Sequence, residues 1–284
     1  TNIHEQKVLN ELLEQKVAER TRELLEANRE LAISNSELQQ FTSVASHDLK
    51  EPLRKILFFG SLISDKAPLT EETNTYLEKI LRASRRMSNL IDDLLSFASL
   101  SGPNLFQPTD PGEIVRDILL DLELSIEEKK AVIDVGPIPQ VEAIPALLRQ
   151  LFQNIISNAL KFTKPGTAPH VSISAALVNT VSAEAAPDAN GAYCRITIAD
   201  NGIGFEEKYA EKIFTIFQRL NTRTEYEGTG IGLAIAKKII DRHNGAITAR
   251  STPGEGSVFH LFLPVRQTEM HKSKEENQFA ATGL

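Results

Sequence analysis

The apolar residues of the first 66 positions follow a pattern that predicts one long α-helix. Apolar side chains recur there at spacings of three and four, which is typical of a coiled-coil seam. The seam consists of Leu13, Val17, Leu24, Ala27, Leu31, Leu38, Phe41 and Ala45, with Arg20 and Ser34 at two further positions. These polar residues either set the register of the coil or are simply tolerated in it. Because one helix cannot bury its own seam, the pattern predicts a homodimer.

A histidine lies on the opposite side of this helix from the apolar stripe. At about 100° per residue, the stripe leaves His47 facing outward, with Glu51 and Arg54 further along the same face. The stripe continues through Leu49, Leu53, Ile56, Gly60 and Ile63. His47 is either a solvated surface side chain or a reactive group, and this helix alone does not decide between them. Pro52 removes a helical hydrogen bond and predicts a bend.

A second helix is predicted over residues 72–99, after a turn at 65–70. Two antiparallel helices in each chain of a dimer form a four-helix bundle. The pattern breaks at residues 99–104, which marks a domain boundary. Strands are then predicted at 105–109, 131–135, 171–178, 192–199, 246–251 and 258–264, and helices at 111–129, 144–162 and 231–243. Residues 180–190 are expected to form a loop, and those after 267 to be disordered.

Composition excludes several classes of protein. A net charge of −7 argues against nucleic acid or an anionic membrane as the main partner. The lone cysteine, Cys194, excludes an internal disulfide framework and is expected to be inert in a strand. No apolar run approaches the ~20 residues of a membrane span. The chain begins at Thr1 inside a helical pattern, which suggests a fragment of a longer protein.

Three polar residues follow one edge of the helix predicted at 144–162. Asn154, Asn158 and Lys161 are spaced so that they stack on that edge, beside apolar residues. An amide oxygen is a suitable ligand for Mg²⁺, and a lysine suits phosphate, although a solvated polar edge is the alternative. A second motif follows directly after a predicted strand. Its Asp200 carboxylate can accept a hydrogen bond from an amine, and Gly202 and Gly204 let a flat ring approach the backbone closely.

A glycine-rich segment opens the helix predicted at 231–243. Backbone amides at such a helix start can hold phosphate, and the segment consists of Gly228, Thr229, Gly230, Ile231, Gly232 and Leu233. It fits neither the dinucleotide fingerprint nor a P-loop. The preceding stretch, with Phe214, Phe217 and Arg219, is bracketed by glycines and predicts a mobile lid. The segment 254–256 is either a plain hairpin turn or part of the same site.

Together these motifs closely resemble the catalytic core of sensor histidine kinases of two-component systems, over about residues 36–264. The matching segments are 46–49 around His47, 154–162, 200–204, 214–217, 228–232 and 254–256, all in the order expected for the family. The resemblance implies an α+β multidomain protein with a signalling coiled coil (1–40), a dimeric four-helix phosphoacceptor bundle (41–101), an ATP-binding α/β sandwich (102–266) and a tail (267–284).

The resemblance also implies roles for residues. His47 would take the γ-phosphoryl group of ATP and pass it to an aspartate on a response-regulator receiver domain, with Asp48 as general base. Asn158 would bind Mg²⁺ and Asp200 the adenine amine. Asn154, Lys161 and the glycine-rich segment would serve the phosphates, and Phe217, Leu233 and Arg219 would line the nucleotide site. Arg219 and Arg223 remain alternatives for a phosphate contact.

The same resemblance implies a missing upstream sensory domain, a cytoplasmic location and one departure from the family. Many relatives place Thr or Asn four residues after the histidine, where it orients a water that dephosphorylates the regulator. Here the position is Glu51, which predicts weak phosphatase activity. Two rival hypotheses are an Hsp90-like ATPase clamp without a phosphoacceptor, and a catalytically inactive dimeric scaffold.

Overall fold

The computed structural model describes residues 2–66, 69–100, 105–183, 191–220, 226 and 228–267. Within the first helix, the side chains of residues 35–45 and of His47, among others, lie outside that description. Arg223, most of the predicted loop at 180–190 and nearly all of the predicted tail are also outside it. The chain forms two compact units, which divide between Ser99 and Leu100.

The first unit consists of two long helices, as the sequence predicts. Helix α1 spans Asn2–Lys66 and continues through Pro52, and helix α2 spans Glu71–Ser99. They pack closely where Gly60 faces Leu81, since a Cβ atom on Gly60 would lie 2.5 Å from Leu81 Cδ2. Lys50 and Asp92 form an ion pair between the two helices. No helix in the described part of the chain is long and apolar enough to cross a membrane.

The second unit contains seven strands and four helices among its described residues. In chain order these are β1 (Gln107–Thr109), α3 (Pro111–Asp121), α4 (Glu123–Lys129), β2 (Val132–Val135), β3 (Val141–Ala143), α5 (Pro145–Lys161), β4 (His170–Val178), β5 (Tyr193–Asp200), α6 (Gly232–Arg242), β6 (Ala246–Thr252) and β7 (Gly256–Pro264). Two short 3₁₀ turns, Glu207–Tyr209 and Lys212–Phe214, precede α6.

The main sheet has the strand order β2-β4-β5-β7-β6, and β1 and β3 form a separate antiparallel pair. In the main sheet β2 runs parallel to β4, and the other neighbours are antiparallel. Alternate residues of β5 are buried, namely Cys194, Ile196 and Ile198. This alternation places one face of the sheet against the helices, which makes the unit a two-layer α/β sandwich. Cys194 is fully buried, and burial raises the pKa of its thiol to about 12, consistent with an inert side chain.

The structure differs from the sequence-based prediction in two places. The helix predicted at 111–129 is two helices, because Leu122 leaves helical geometry at φ −97° and ψ 4°. Its amide donates to carbonyls of the last turn of α3, and no glycine or proline marks the break. The prediction also missed β3, a strand of only three residues with Val141 and Ala143 buried.

Candidate functional site

The polar edge of α5 is present as predicted. Seven apolar residues of this helix are buried, whereas Asn154, Asn158 and Lys161 are all half-buried along one edge. Among the described residues, none forms a hydrogen bond with the Asn158 side chain. A half-buried amide with both polar atoms available fits the ligand role expected of Asn158, since Mg²⁺ prefers oxygen ligands.

The glycine-rich segment 228–232, called the glycine loop below, lies directly against this edge. Asn154 Nδ2 donates to the carbonyl oxygen of Gly232 at 3.1 Å. The Nζ atom of Lys161 lies 2.5 Å from the position that a Cβ atom on Gly228 would occupy. Thr229 Oγ1 accepts from the amide of Ile231 at 3.3 Å, just before α6 begins at Gly232. The fold therefore brings together an ammonium group and a helix N-terminus, a combination suited to phosphate.

Asp200 closes the other side of the site, at the end of β5. Its Oδ1 atom accepts from the amides of Gly202 at 2.8 Å and Ser257 at 3.3 Å. Burial raises the pKa of this carboxyl, and the two amide hydrogen bonds oppose part of that effect. Gly202 approaches α5 so closely that a Cβ atom would lie 2.3 Å from the carbonyl oxygen of Phe162. The 254–256 segment belongs to the same region, because Gly256 lies against the Asp200 carbonyl.

The segment around Phe217 also borders the glycine loop. Phe217 has a φ of +64° and its side chain is 60% exposed. Arg219 is half-buried and donates to the carbonyl oxygens of Gly228 and Tyr226 at 2.6 and 2.7 Å. Leu233 is half-buried in the first turn of α6.

Sequence reasoning missed Asn201 and Tyr226, both of which bond to the backbone near the site. Asn201 Oδ1 accepts from the His170 amide at 2.8 Å, and its Nδ2 donates to the Ala168 carbonyl at 3.1 Å. The turn composition around Asn201 was a usable signal, since Asn commonly bonds to nearby backbone in turns. No pattern in the sequence pointed to Tyr226, whose hydroxyl donates to the Thr163 carbonyl at 2.9 Å.

A cavity of about 1010 Å³ opens beside Tyr226 and Ile203. Lys129, Lys130 and Lys164 contribute to its lining. The described residues contain no group of three His, Cys, Asp or Glu side chains that could hold a metal ion. A Mg²⁺ ion at this site would be held by Asn158 with oxygen atoms of a bound ligand and of water, because Mg²⁺ usually keeps several waters and binds substrate phosphates.

His47 lies in the first unit, on α1. The residues on either side of it differ in burial: Ser46 is buried, and Asp48 is exposed. Glu51, one turn further along, pairs with Lys55 at 2.7 Å rather than with Arg54. Two histidines of the second unit contact other protein groups: His243 is fully buried, and His260 Nδ1 lies 3.1 Å from Thr197 Oγ1.

Two family models match the chain. The model described as "His Kinase A (phospho-acceptor) domain" matches residues 37–103, which include His47. The model described as "Histidine kinase-, DNA gyrase B-, and HSP90-like ATPase" matches residues 143–267, which include α5, Asp200 and the glycine loop.

Similar proteins support the same relationship. The chain is 38% identical over 246 residues to the phytochrome-like protein Cph1 of Synechocystis sp., covering 86% of this chain and 31% of that protein. It is 37% identical over 253 residues to cyanobacterial phytochrome A of Nostoc sp., covering 88% and 31%. The chain thus spans 31% of the length of these relatives.

Among solved structures, full-length ShkA in complex with AMPPNP matches with a TM-score of 0.60 and 25% identity, over 81% of this chain and 46% of that chain. Because 81% of this chain is more than the sandwich unit contains, the match includes part of the helical unit as well. The chain belongs to the sensor histidine kinases, with a phosphoacceptor domain followed by an ATPase domain of the gyrase B- and HSP90-like type.

Proposed function

We propose that this chain transfers the γ-phosphoryl group of ATP to His47 and then to an aspartate of a response-regulator receiver domain. The observation that carries the proposal is the meeting of Lys161, Asp200 and the glycine loop around one edge of α5, within the matched ATPase domain. The matched phosphoacceptor domain of the same chain contributes His47.

The base and the phosphates of ATP are recognised at opposite ends of the proposed site. The Asp200 carboxylate accepts from the exocyclic amine of adenine, and Gly202 leaves room for the ring beside the backbone. Lys161 and the amides of the glycine loop bind the phosphates. Asn158 would contribute its amide oxygen to Mg²⁺, which when bound neutralises phosphate charge.

The chemical step is a displacement at the γ-phosphorus. One ring nitrogen of neutral His47 forms a bond to phosphorus, the bond to the β–γ bridging oxygen breaks, and ADP leaves. Asp48 accepts the proton from the other ring nitrogen. The phosphoryl group then passes to a receiver carboxylate, which restores His47. Besides this proton transfer, the reaction is accelerated by alignment of the imidazole with the γ-phosphate and by neutralisation of the phosphate charge.

We also propose that the chain acts as a homodimer. Large apolar residues spaced seven apart remain exposed on both helices of the first unit: Leu49, Ile56 and Ile63 on α1, and Ile80, Met87 and Leu94 on α2. A stripe of this kind needs a partner helix, and a second copy supplies a matching one and completes a four-helix bundle. The earlier part of α1 would then connect an upstream sensory domain to the bundle.

The proposal is tested by incubating the chain with γ-labelled ATP and Mg²⁺. We expect label on the protein that is acid-labile and base-stable, and its loss in His47→Gln with nucleotide binding retained. ATP hydrolysis without protein label would support the ATPase clamp. The absence of both protein label and ATP hydrolysis would support the inactive scaffold. Retained acid-labile label in His47→Gln would remove His47 from the proposed role.

A further inference from the structure

Arg219 ties two parts of the nucleotide site together through the backbone. Its two terminal nitrogens donate to two different carbonyl oxygens, that of Gly228 at 2.6 Å and that of Tyr226 at 2.7 Å. A guanidinium group suits this task because its donors lie on separate nitrogens in a rigid fork, whereas the three donors of a lysine all lie on one nitrogen. Both terminal nitrogens therefore engage the protein's own backbone in this structure.

The contact fixes the orientation of a peptide in the glycine loop. In a trans peptide the carbonyl and the following amide point in opposite directions, and the described residues contain no cis peptide. With the Gly228 carbonyl on the guanidinium, the amide of Thr229 points away from Arg219. Lys161 approaches the same loop, its Nζ atom lying near Gly228.

Close packing reinforces this arrangement. Gly230 has a φ of +78°, and a Cβ atom there would lie 3.0 Å from the Gln218 carbonyl oxygen and 3.1 Å from Arg219 Cγ. Any amino acid other than glycine would be strained at this position, both by the positive φ and by the close contacts of its Cβ atom. The segment ending at Arg219 therefore packs closely against the glycine loop, and the hydrogen bond from Arg219 to the Gly228 carbonyl holds the two together.

Tyr226 extends the connection to α5. Its carbonyl is held by Arg219, its hydroxyl donates to the Thr163 carbonyl at 2.9 Å, and its ring centroid lies 5.2 Å from that of Phe162. The ammonium group of Lys161 in turn lies 4.3 Å from the centre of the Phe162 ring. A continuous set of contacts therefore runs from Arg219 to the lysine proposed to bind phosphate.

We infer that Arg219 is a positioning residue that shapes the glycine loop for phosphate before nucleotide binds, rather than a group that contacts the γ-phosphate itself. The inference rests on the proposed ATP site and adds how that site is preformed. On the same inference, Tyr226 is a second positioning residue, which connects this part of the chain to the end of α5.

The two roles of Arg219 predict different nucleotide preferences. In Arg219→Ala we expect the Kd values of ADP and AMPPNP to rise by the same factor, about tenfold, because the loop serves every bound phosphate. A γ-phosphate contact would weaken AMPPNP and leave ADP unchanged. We also expect the amides of residues 228–232 to exchange hydrogen several-fold faster in the nucleotide-free variant. Arg219→Lys keeps the charge, but we expect it to resemble Arg219→Ala.

Arg195→Ala is the matched control, because Arg195 also donates to a carbonyl, that of Ala183 at 2.6 Å, on a strand away from the loop. It should leave both affinities and the loop exchange unchanged. Tyr226→Phe keeps the ring and should shift affinity and exchange in the same direction as Arg219→Ala, by a smaller factor. Unchanged exchange in nucleotide-free Arg219→Ala, or a loss confined to AMPPNP, would overturn the inference. None of these measurements requires phosphoryl transfer, so they are independent of the labelling of His47.

Discussion

The amide of Asn154 and the carbonyl of Gly232 join the two sides of the nucleotide site. The distance from Asn154 Nδ2 to Gly232 O is 3.1 Å, although the residues lie 78 positions apart in the chain. One turn further along α5, Asn158 has no such bond among the described residues. Two asparagines with the same side chain and similar burial therefore do different work, one holding the loop and the other available to a ligand.

We predict that Asn158→Ala and Asn154→Ala separate these roles. Asn158→Ala should abolish the strengthening of ATP binding by Mg²⁺ while leaving the free energy of unfolding almost unchanged, since no protein hydrogen bond is lost. Asn154→Ala should lower the free energy of unfolding by about 0.5–1.5 kcal/mol and weaken nucleotide with or without Mg²⁺.

Calorimetric titrations with and without Mg²⁺, together with thermal unfolding, measure both effects. The exposed neighbour Gln153 provides a control substitution on the same helix. A large loss of stability in nucleotide-free Asn158→Ala would make Asn158 a structural residue and contradict its assignment.

Asp200→Asn tests recognition of the base. The asparagine oxygen can still accept from the Gly202 and Ser257 amides, but the charge-assisted bond to adenine is lost, at a cost of roughly 1.5–3 kcal/mol in ATP binding. Because burial raises the pKa of Asp200 in the fold, ionising it costs stability. That cost is absent at low pH and complete above the folded-state pKa, so near pH 7 the variant should be as stable as the wild type or more stable.

Parallel titrations with ATP and GTP distinguish base recognition from a general effect. We expect ATP to weaken and GTP, which presents no amine at that position, to change little. Equal weakening of both nucleotides would argue against a contact between Asp200 and the base.

His243 predicts a pH dependence of stability. Its Nδ1 atom donates to the Ile239 carbonyl at 2.8 Å, and its Nε2 atom accepts from the Ile144 amide at 3.0 Å. Protonating Nε2 would place two donors face to face, and burial lowers the pKa of this imidazole. The neutral ring therefore stabilises the fold fully above the ordinary pKa of 6.5, and that stability is lost as the pH falls below it.

Chemical denaturation between pH 7.5 and 5, in steps of about half a unit, measures this loss, which cannot exceed about 1.4 kcal/mol per pH unit for one group. We expect His243→Gln to be less stable at pH 7.5 and to show a flatter profile. An unchanged slope in His243→Gln would remove His243 as the origin.

Glu51 predicts a kinase with weak phosphatase activity. An ionised carboxylate only accepts hydrogen bonds and repels an approaching aspartyl phosphate, whereas a hydroxyl or amide can orient a water. Its exposed pair with Lys55 at 2.7 Å offsets little of this charge, because such pairs contribute about 0.2–0.5 kcal/mol.

The measurement is the decay of purified phospho-regulator with ADP, with and without this protein. We expect little acceleration by the wild type, and faster decay with Glu51→Thr while labelling of His47 persists. Lys55→Gln serves as a control that leaves the carboxylate in place. Strong acceleration by the wild type that is unchanged in Glu51→Ala would refute the prediction.

The sequence alone determined the elements whose signal is local and periodic. The long helix α1, the hairpin partner α2 and the apolar face of α5 follow from spacings within one segment, which burial of a single face imposes. The order of short motifs was also sufficient to indicate the family. The prediction failed at β3, because a strand of three residues is too short to show a period. It also failed at Leu122, because the helical pattern continues through the break and no glycine or proline marks it.

The tertiary structure alone decided which side chains meet. Asn154 and Asn158 lie on the same edge of the helix by their spacing, and only the packing of Gly232 beside Asn154 shows that this one holds the loop through a hydrogen bond. In the same way, no pattern in the sequence placed Arg219 beside the glycine loop, and the fold puts its guanidinium on the Gly228 carbonyl. Such contacts join residues far apart in sequence, and their geometry depends on how helices and strands pack rather than on any pattern within one segment.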